Sequence, residues 1–442
     1  MIHILIRYLG IKTKLLNVIN DEVSRVTPEG GTVLDMFAGS TIVGQSLMND
    51  YVVYSNDIQN YSYTVGKSTI EIDDEFDYTK LDYRKVINSD FYRKNLKILE
   101  SIFNKPLKYE KNLFFRLLNE NDNKELLIEF KNYYDNTPYT GHYNRASVNK
   151  YFLGMKHVYT EDYYKKVKNS KNEFYGLFSL IYACPYFSLQ QAIFIDSFRF
   201  AIDKLFENKA ICFAEYNAYL SMVIYILQNI VTSVGDHFAQ PEKMKIDDEI
   251  KFKKEIKKVI QKKTLNLDEY LEKIQMEFRE MKPTRFSKDN LMFGLDYKKL
   301  FNNENEKIME KIDTIYIDPP YTNAHYSRFY HILETLVNYD YPTIKYFGRY
   351  RDDRYQSPFC LKSEAKREFD KMIQLCADRN KNIIISYSDT IQCILSKEEI
   401  KDICEKYYVK VTESSIAYLY RNLGQKPNKV KGNELLFTCE AN

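Results

Sequence analysis

Asp313-Thr314-Ile315-Tyr316-Ile317-Asp318-Pro319-Pro320-Tyr321 is the stretch whose reading decides the fold. Thr314 to Ile317 are β-branched or aromatic, as a buried strand prefers, and the two prolines after Asp318 cannot continue a ladder. The chain turns there, at the carboxyl end of a strand. In an open α/β sheet that is where ligands bind. An acid, a fixed backbone carbonyl and an aromatic ring within four residues suit a flat heterocycle with an exocyclic amine. Asp318 and the Pro319 carbonyl can each accept one amine hydrogen, and Tyr321 can lie against the ring face.

Composition sets the frame for that strand. A chain of 442 residues, 44% of them hydrophobic, holds one oversized domain or two ordinary ones. The net charge of +3 gives no global field for a polyanion, so a nucleic-acid surface would be a local patch. Seven scattered cysteines without a Cys-x-x-Cys pair read as reduced thiols and argue against structural zinc. Met1 to Ile6 is too short for a signal peptide, and no stretch approaches the roughly 20 apolar residues of a membrane span. The expectation is a cytoplasmic protein that needs no membrane and no metal.

Outward from the strand, a second strand–turn–helix unit lies near the start of the chain. Thr32 to Phe37 is a short apolar run, and Ala38-Gly39-Ser40-Thr41-Ile42-Val43-Gly44 turns into a helical pattern, the first unit of a Rossmann-like sheet. Gly39 lets the backbone approach a cofactor, and Asp35 could reach that cofactor's charged end. The next strand runs Tyr51 to Ser55. Asp57 then closes it about 20 residues beyond the glycine turn, placed to accept hydrogen bonds from ribose hydroxyls, with Ile58 beside it for the adenine ring. Ahead of all this, Arg7-Tyr8-Leu9-Gly10-Ile11-Lys12-Thr13-Lys14-Leu15-Leu16 reads as a loop opening a helix, Gly10 allowing close approach at the helix start.

From 61 to 285 the sheet signal lapses and helical periodicity dominates. Such a length is too great for one connection, so a helical domain is inserted there. Ser188 caps one expected helix, and Val231 to Phe238 ends another in a Gly-containing loop with His237. Lys251 to Lys263 carries seven lysines against Glu255, with Phe252, Ile256, Val259 and Ile260 on one face. That helix is either a phosphate-tracking surface or a solvated face. Arg145, Lys150, Lys156 and His157 form another candidate patch.

The sheet resumes before the central strand, at Phe286 to Leu291. Asn382 to Ser388 reads as the next parallel strand, and Tyr408 to Ile416, Leu419 to Arg421 and Glu434 to Thr438 as a closing hairpin around a Gly, Pro and Lys-rich loop over 422–431. The arginines of Phe347 to Phe359 suit a DNA-facing loop. No second functional domain is expected after the sheet.

Asp318-Pro319-Pro320-Tyr321 resembles the catalytic tetrad of amino-methyltransferases acting on exocyclic nitrogens of DNA bases, and Asp at its first position resembles the N6-adenine branch. The order of segments fits that family: an N-terminal loop, a glycine turn, a strand-two acid, a long helical insert, then the tetrad. Thr41 and Ile11 depart from its usual glycine and serine. The resemblance implies an α/β, Rossmann-like class I methyltransferase sheet with a large inserted helical domain. It divides the chain into a cofactor half (1–60), a target-recognition insert (61–285) and a catalytic half (286–442). It implies S-adenosyl-L-methionine as cofactor, double-stranded DNA as substrate and a cognate restriction endonuclease as a partner. Asp318, Pro319, Pro320 and Tyr321 would be catalytic, and Tyr326, Arg328 and Tyr330, on the loop after them that in this family closes over the flipped base, would contact the base or backbone. Tyr8, Gly10, Lys12, Asp35, Phe37, Ala38, Gly39, Asp57, Ile58 and Asp289 would hold the cofactor, Asp289 through its adenine amine. Three alternatives stay open at this point: N4-cytosine or RNA methylation, the same chemistry on a protein glutamine, and a non-catalytic DNA-binding remnant.

Overall fold

Apolar strands with no polar alternation must be covered on both faces, and those of this chain are. The computed structural model describes residues 12–120, 123–143, 152–242, 249–280, 285–390, 392–421 and 429–441. They divide into two units. One comprises residues up to Tyr78, Glu280–Phe329 and Arg354 onward, and the other Thr79–Arg279 and Tyr330–Asp353.

The first unit is built on a seven-stranded sheet: β1 (Thr32–Asp35), β2 (Val52–Asn56), β3 (Leu291–Phe293), β4 (Thr314–Ile317), β5 (Asn382–Ser388), β6 (Lys410–Arg421) and β7 (Lys429–Glu440). Their order is β3-β2-β1-β4-β5-β7-β6. The first five pair in parallel, with Asp35 opposite Ser55 on one side and Tyr316 on the other. β7 enters antiparallel between β5 and β6, setting Glu434 opposite Ser388. The strand order reverses between β1 and β4, so the crevice of an α/β fold is expected at their carboxyl ends.

Period-two alternation divides the strand side chains between two cores. Leu34, Ile315, Ile317, Ile383 and Ile385 pack with Phe369, Met372 and Ile373 of helix Ala365–Ala377 and with Ile400 of helix Lys397–Tyr407. Val33, Tyr316 and Ile384 face the other way, onto Ile19 and Val23 of helix Leu16–Val26 and Ile42 and Leu47 of helix Ile42–Leu47. Gly44 is needed for that second layer: a Cβ there would lie 2.7 Å from Ser55 Oγ and 3.0 Å from Ile70 Cδ1.

The second unit is helical. Its axis is helix Leu189–Glu207, opened by a capping box in which Ser188 and Gln191 satisfy each other's amides. Glu110, from helix Asn104–Asn119, accepts the Leu189 and Gln190 amides at 3.0 Å each, a buried carboxylate set on a helix N-terminus. Residues 61–78, read from sequence as part of the insert, cluster with the sheet, because Gly66 of helix Asn60–Thr69 seats directly on Met292 of β3. Residues 330–353 cluster with the helices. There Tyr339 hydrogen-bonds Asp196, and the Arg199 guanidinium donates to the Leu336 carbonyl at 3.1 Å. Among the described residues no helix is long and apolar enough to cross a membrane.

Candidate active site

The turn after β1 is fastened by the acid after β2. Gly39, at φ +48°, donates its amide to Asp57 Oδ2 at 2.8 Å, and Gln59 donates to Oδ1 at 2.8 Å. Ser62 Oγ closes the ring on the Gly39 carbonyl at 2.7 Å. A carboxylate has about four acceptor sites, and these two amides each take one. Burial raises it to about 6, opposed by the amides of Gln59, Gly39 and Ile58.

Thr41 occupies the left-handed region at φ 62°, where a glycine would be unstrained. Its hydroxyl offsets the strain by donating to the Ser40 carbonyl at 2.7 Å, accepting from the Gln45 amide at 3.1 Å and lying 3.2 Å from the Thr69 hydroxyl. The turn is therefore built without the glycine.

Asn56, at the end of β2, ties two further loops. Its amide donates to the Met36 and Leu295 carbonyls at 3.2 and 3.0 Å, and its carbonyl accepts the Leu295 amide at 3.0 Å. The acid at the carboxyl end of β3 is consequently Asp296, which lines the crevice. The expectation for Asp289 is corrected here. Asp289 is exposed and precedes β3, at the opposite end of the strand from the crevice, because β3 starts only at Leu291. An apolar run followed by an acid, Leu291-Met292-Phe293-Gly294-Leu295-Asp296, is the sequence signal that could have pointed to Asp296 instead.

Asp35 ends β1 fully buried, and neither carboxylate oxygen has a hydrogen-bond partner. Burial, then the nearby charge of Asp318, push it to about 8; the Gly44 amide, near enough to favour the charged form without completing a hydrogen bond, offsets part of that. Asp318, at the end of β4, keeps 21% of its side chain exposed and faces Lys12 Nζ at 3.1 Å. Lys12 also reaches Glu434 Oε1 at 2.5 Å, and lies over the Tyr321 ring at 5.7 Å. Although burial alone would neutralise the lysine, Asp318 and Glu434 hold its affinity for the proton well above the ordinary value. Burial and Glu434 raise Asp318, with Lys12 acting against them. Tyr321 packs against Tyr387 of β5 with ring centroids 5.3 Å apart.

These side chains share one crevice of about 1010 Å³, counted to its open mouth. Lys12, Asp35, Phe37, Ala38, Gly39, Asp57 and Ile58 line it together with Asp318, Pro319, Pro320 and Tyr321. Asp296, His325, Tyr326 and Tyr355 line it as well, and only Tyr326 of these was singled out from sequence. Glu434 was missed altogether, since a lone glutamate in a closing hairpin carries no local signal.

Tyr8, Gly10, Arg145 and Lys150 lie outside the described residues, as do 422–428 of the basic loop. Arg349 and Arg351, expected to face DNA, are buried. Arg349 stands over Tyr139 at 4.0 Å, and Arg351 forks onto Asp340 at 2.6 Å through both terminal nitrogens. Of the Lys251 to Lys263 run, Lys254 and Lys258 are exposed, whereas Lys263 is buried and donates to the Cys184 carbonyl.

A family model described as D12 class N6 adenine-specific DNA methyltransferase matches residues 8–278. The Modification methylase LlaI of Lactococcus lactis subsp. lactis is 24% identical over 430 residues, covering 96% of this chain and 53% of the relative. The Type II methyltransferase M.FokI of Planomicrobium okeanokoites is 23% identical over 439 residues, 97% of this chain and 51% of the relative. The Modification methylase StsI of Streptococcus sanguinis is 24% identical over 407 residues, 91% and 46% respectively. The chain thus spans about half the length of the curated relatives it matches. With more than half of its residues inside the family match, the chain belongs to the D12 class N6 adenine-specific DNA methyltransferase family.

Proposed function

We propose that this chain is a site-specific DNA N6-adenine methyltransferase, using S-adenosyl-L-methionine, and serves in the cytoplasm as the modification enzyme beside a cognate restriction endonuclease. The observation that carries the reading is the single crevice lined by Asp35, Gly39 and Asp57 from the first sheet half and by Asp318 to Tyr321 from the second. The cofactor fits the residues present. An orphaned buried carboxylate such as Asp35 suits a cationic amino group, Asp57 and Ile58 suit a ribose and a purine face, and Asp296 at the end of β3 suits an exocyclic amine. When bound, S-adenosylmethionine supplies an electrophilic methyl on a positively charged sulfur.

The chain's own residues do the rest. An adenine amine is a poor nucleophile because its lone pair is delocalised into the ring. Asp318 and the Pro319 carbonyl would accept its two hydrogens, draw density onto nitrogen and hold it for in-line attack. A base in duplex DNA must leave the stack to reach them, and Tyr321, braced by Tyr387, offers its ring as the new stacking partner. Family membership favours adenine over cytosine or RNA as the target.

The test is transfer of labelled methyl to genomic DNA from a methylation-free host, with the modified base identified by chromatography. Asp318→Ala is expected to lose about 10²-fold or more in rate while binding the cofactor as wild type does. Undiminished transfer by that variant would refute the assignment.

A further inference from the structure

We infer that Glu434 is a positioning residue for methyl transfer, sharing the Lys12 ammonium with Asp318 so that the lysine is held at one Asp318 oxygen, Oδ1, and the other is left to accept the target amine. The inference rests on the proposed function and adds to it a residue from the last strand of the sheet.

The geometry is asymmetric. Lys12 Nζ lies 2.5 Å from Glu434 Oε1 and 3.1 Å from Asp318 Oδ1. The ammonium is thus in contact with both acids, and lies closer to the one that cannot touch substrate: the Glu434 side chain is 1% exposed, against 21% for Asp318. Ser386 Oγ, on β5, donates to the same Glu434 oxygen and fixes it. Antiparallel pairing sets Glu434 opposite Ser388, which is why β7 can deliver an acid behind the tetrad at all.

Charge makes the arrangement purposeful. Lys12 and Asp318 alone would form a neutral pair, with the whole charge of the cation directed at the acid that the amine must reach. Glu434 adds a second acid beside that pair, which suits a site receiving a sulfonium and an amine that becomes cationic as the methyl arrives. The nitrogen then carries one proton too many, and a carboxylate whose lysine is shared with a second acid is the better acceptor for it. The groups facing Asp318 are Lys12, Glu434 and Asp35, with the phenols of Tyr316, Tyr321 and Tyr326 around them. Those facing Lys12 are Asp318, Glu434, Tyr321 and Tyr316.

A buried ion pair that merely supports the fold would predict the same contacts, so the test reads a pH profile. Single-turnover transfer to genomic DNA from a methylation-free host is measured against pH in wild type, Glu434→Gln, Glu434→Asp and Lys12→Met, with cofactor affinity by calorimetry alongside. Removing the negative neighbour lowers the Asp318 pKa, and removing the positive one raises it. Glu434→Gln is expected to slow transfer by about tenfold or more and move the acid limb to lower pH, with cofactor affinity unchanged. Glu434→Asp should recover part of the rate, and Lys12→Met should move the limb to higher pH. An unmoved acid limb in Glu434→Gln, or a rate loss matched by an equal loss of cofactor affinity, overturns the inference. Should Glu434→Gln not fold, Lys12→Met decides, an unmoved limb again being fatal. Wild type that methylates no DNA overturns the proposed function itself, whereas active wild type with an unshifted variant overturns this inference alone.

Discussion

Asp35 shows what a single side chain can charge against its own fold. Its folded pKa of about 8 stands far above the ordinary 3.8, burial being the main cause. Between those values the unfolded chain ionises while the native state keeps its proton, so native stability falls as pH rises through the window. Asp35→Asn should therefore melt higher than wild type at pH 8, with the gap closing toward pH 4, while binding S-adenosylmethionine more weakly. Scanning calorimetry at the two pH values decides it, and an equal gap at both would remove Asp35 as the cause. Asp57, raised to about 6, leaves a residual slope below that pH in the variant. From the sequence, Asp35 was legible as an acid ending a strand. Its lack of partners was not, because that depends on which amides the following turn directs elsewhere. Thr41 shows the converse: as a letter it breaks the glycine pattern, and only three spatial neighbours explain how its hydroxyl tolerates φ 62°.

Strands announce themselves by runs of buried β-branched residues, and β1, β4 and β5 were readable for that reason. Short elements were not. β3 spans three residues, so its starting point, and with it the choice between Asp289 and Asp296, was ambiguous by a few positions. The hairpin was expected, but insertion of β7 antiparallel against β5 depends on pairing that no local pattern encodes. Arginines in the 347–359 stretch look solvent-seeking by type, yet Arg351 meets Asp340 and Asp353 at a close salt-bridge cluster. At this scale Asn56 fastens two loops at once. Asn56→Ala would leave the Leu295 amide and two carbonyls without their partner, at a cost of about 1–3 kcal/mol for a buried group so stranded. Urea denaturation should register that loss, and calorimetry a weaker cofactor affinity. Unaltered affinity would mean that the loops after β1 and β3 keep their places without it.

Across the molecule, the sheet unit carries the crevice, and the helical unit offers Lys254 and Lys258 one turn apart on an exposed face. If these lysines track phosphates, Lys254→Ala with Lys258→Ala should flatten the dependence of log affinity for DNA on log salt by up to about two charges' worth, leaving cofactor affinity as in wild type. An unchanged salt slope would assign them to a solvated face instead. One consequence reaches back to how the protein is made. Lys12 and Glu434 meet although 422 positions separate them. A ribosome delivers the first long before the second, and a lysine destined for a dry interior has to wait in water throughout elongation. Contacts spanning so much chain are slow to close. The nascent polypeptide would therefore hold no finished crevice until translation has passed its closing hairpin.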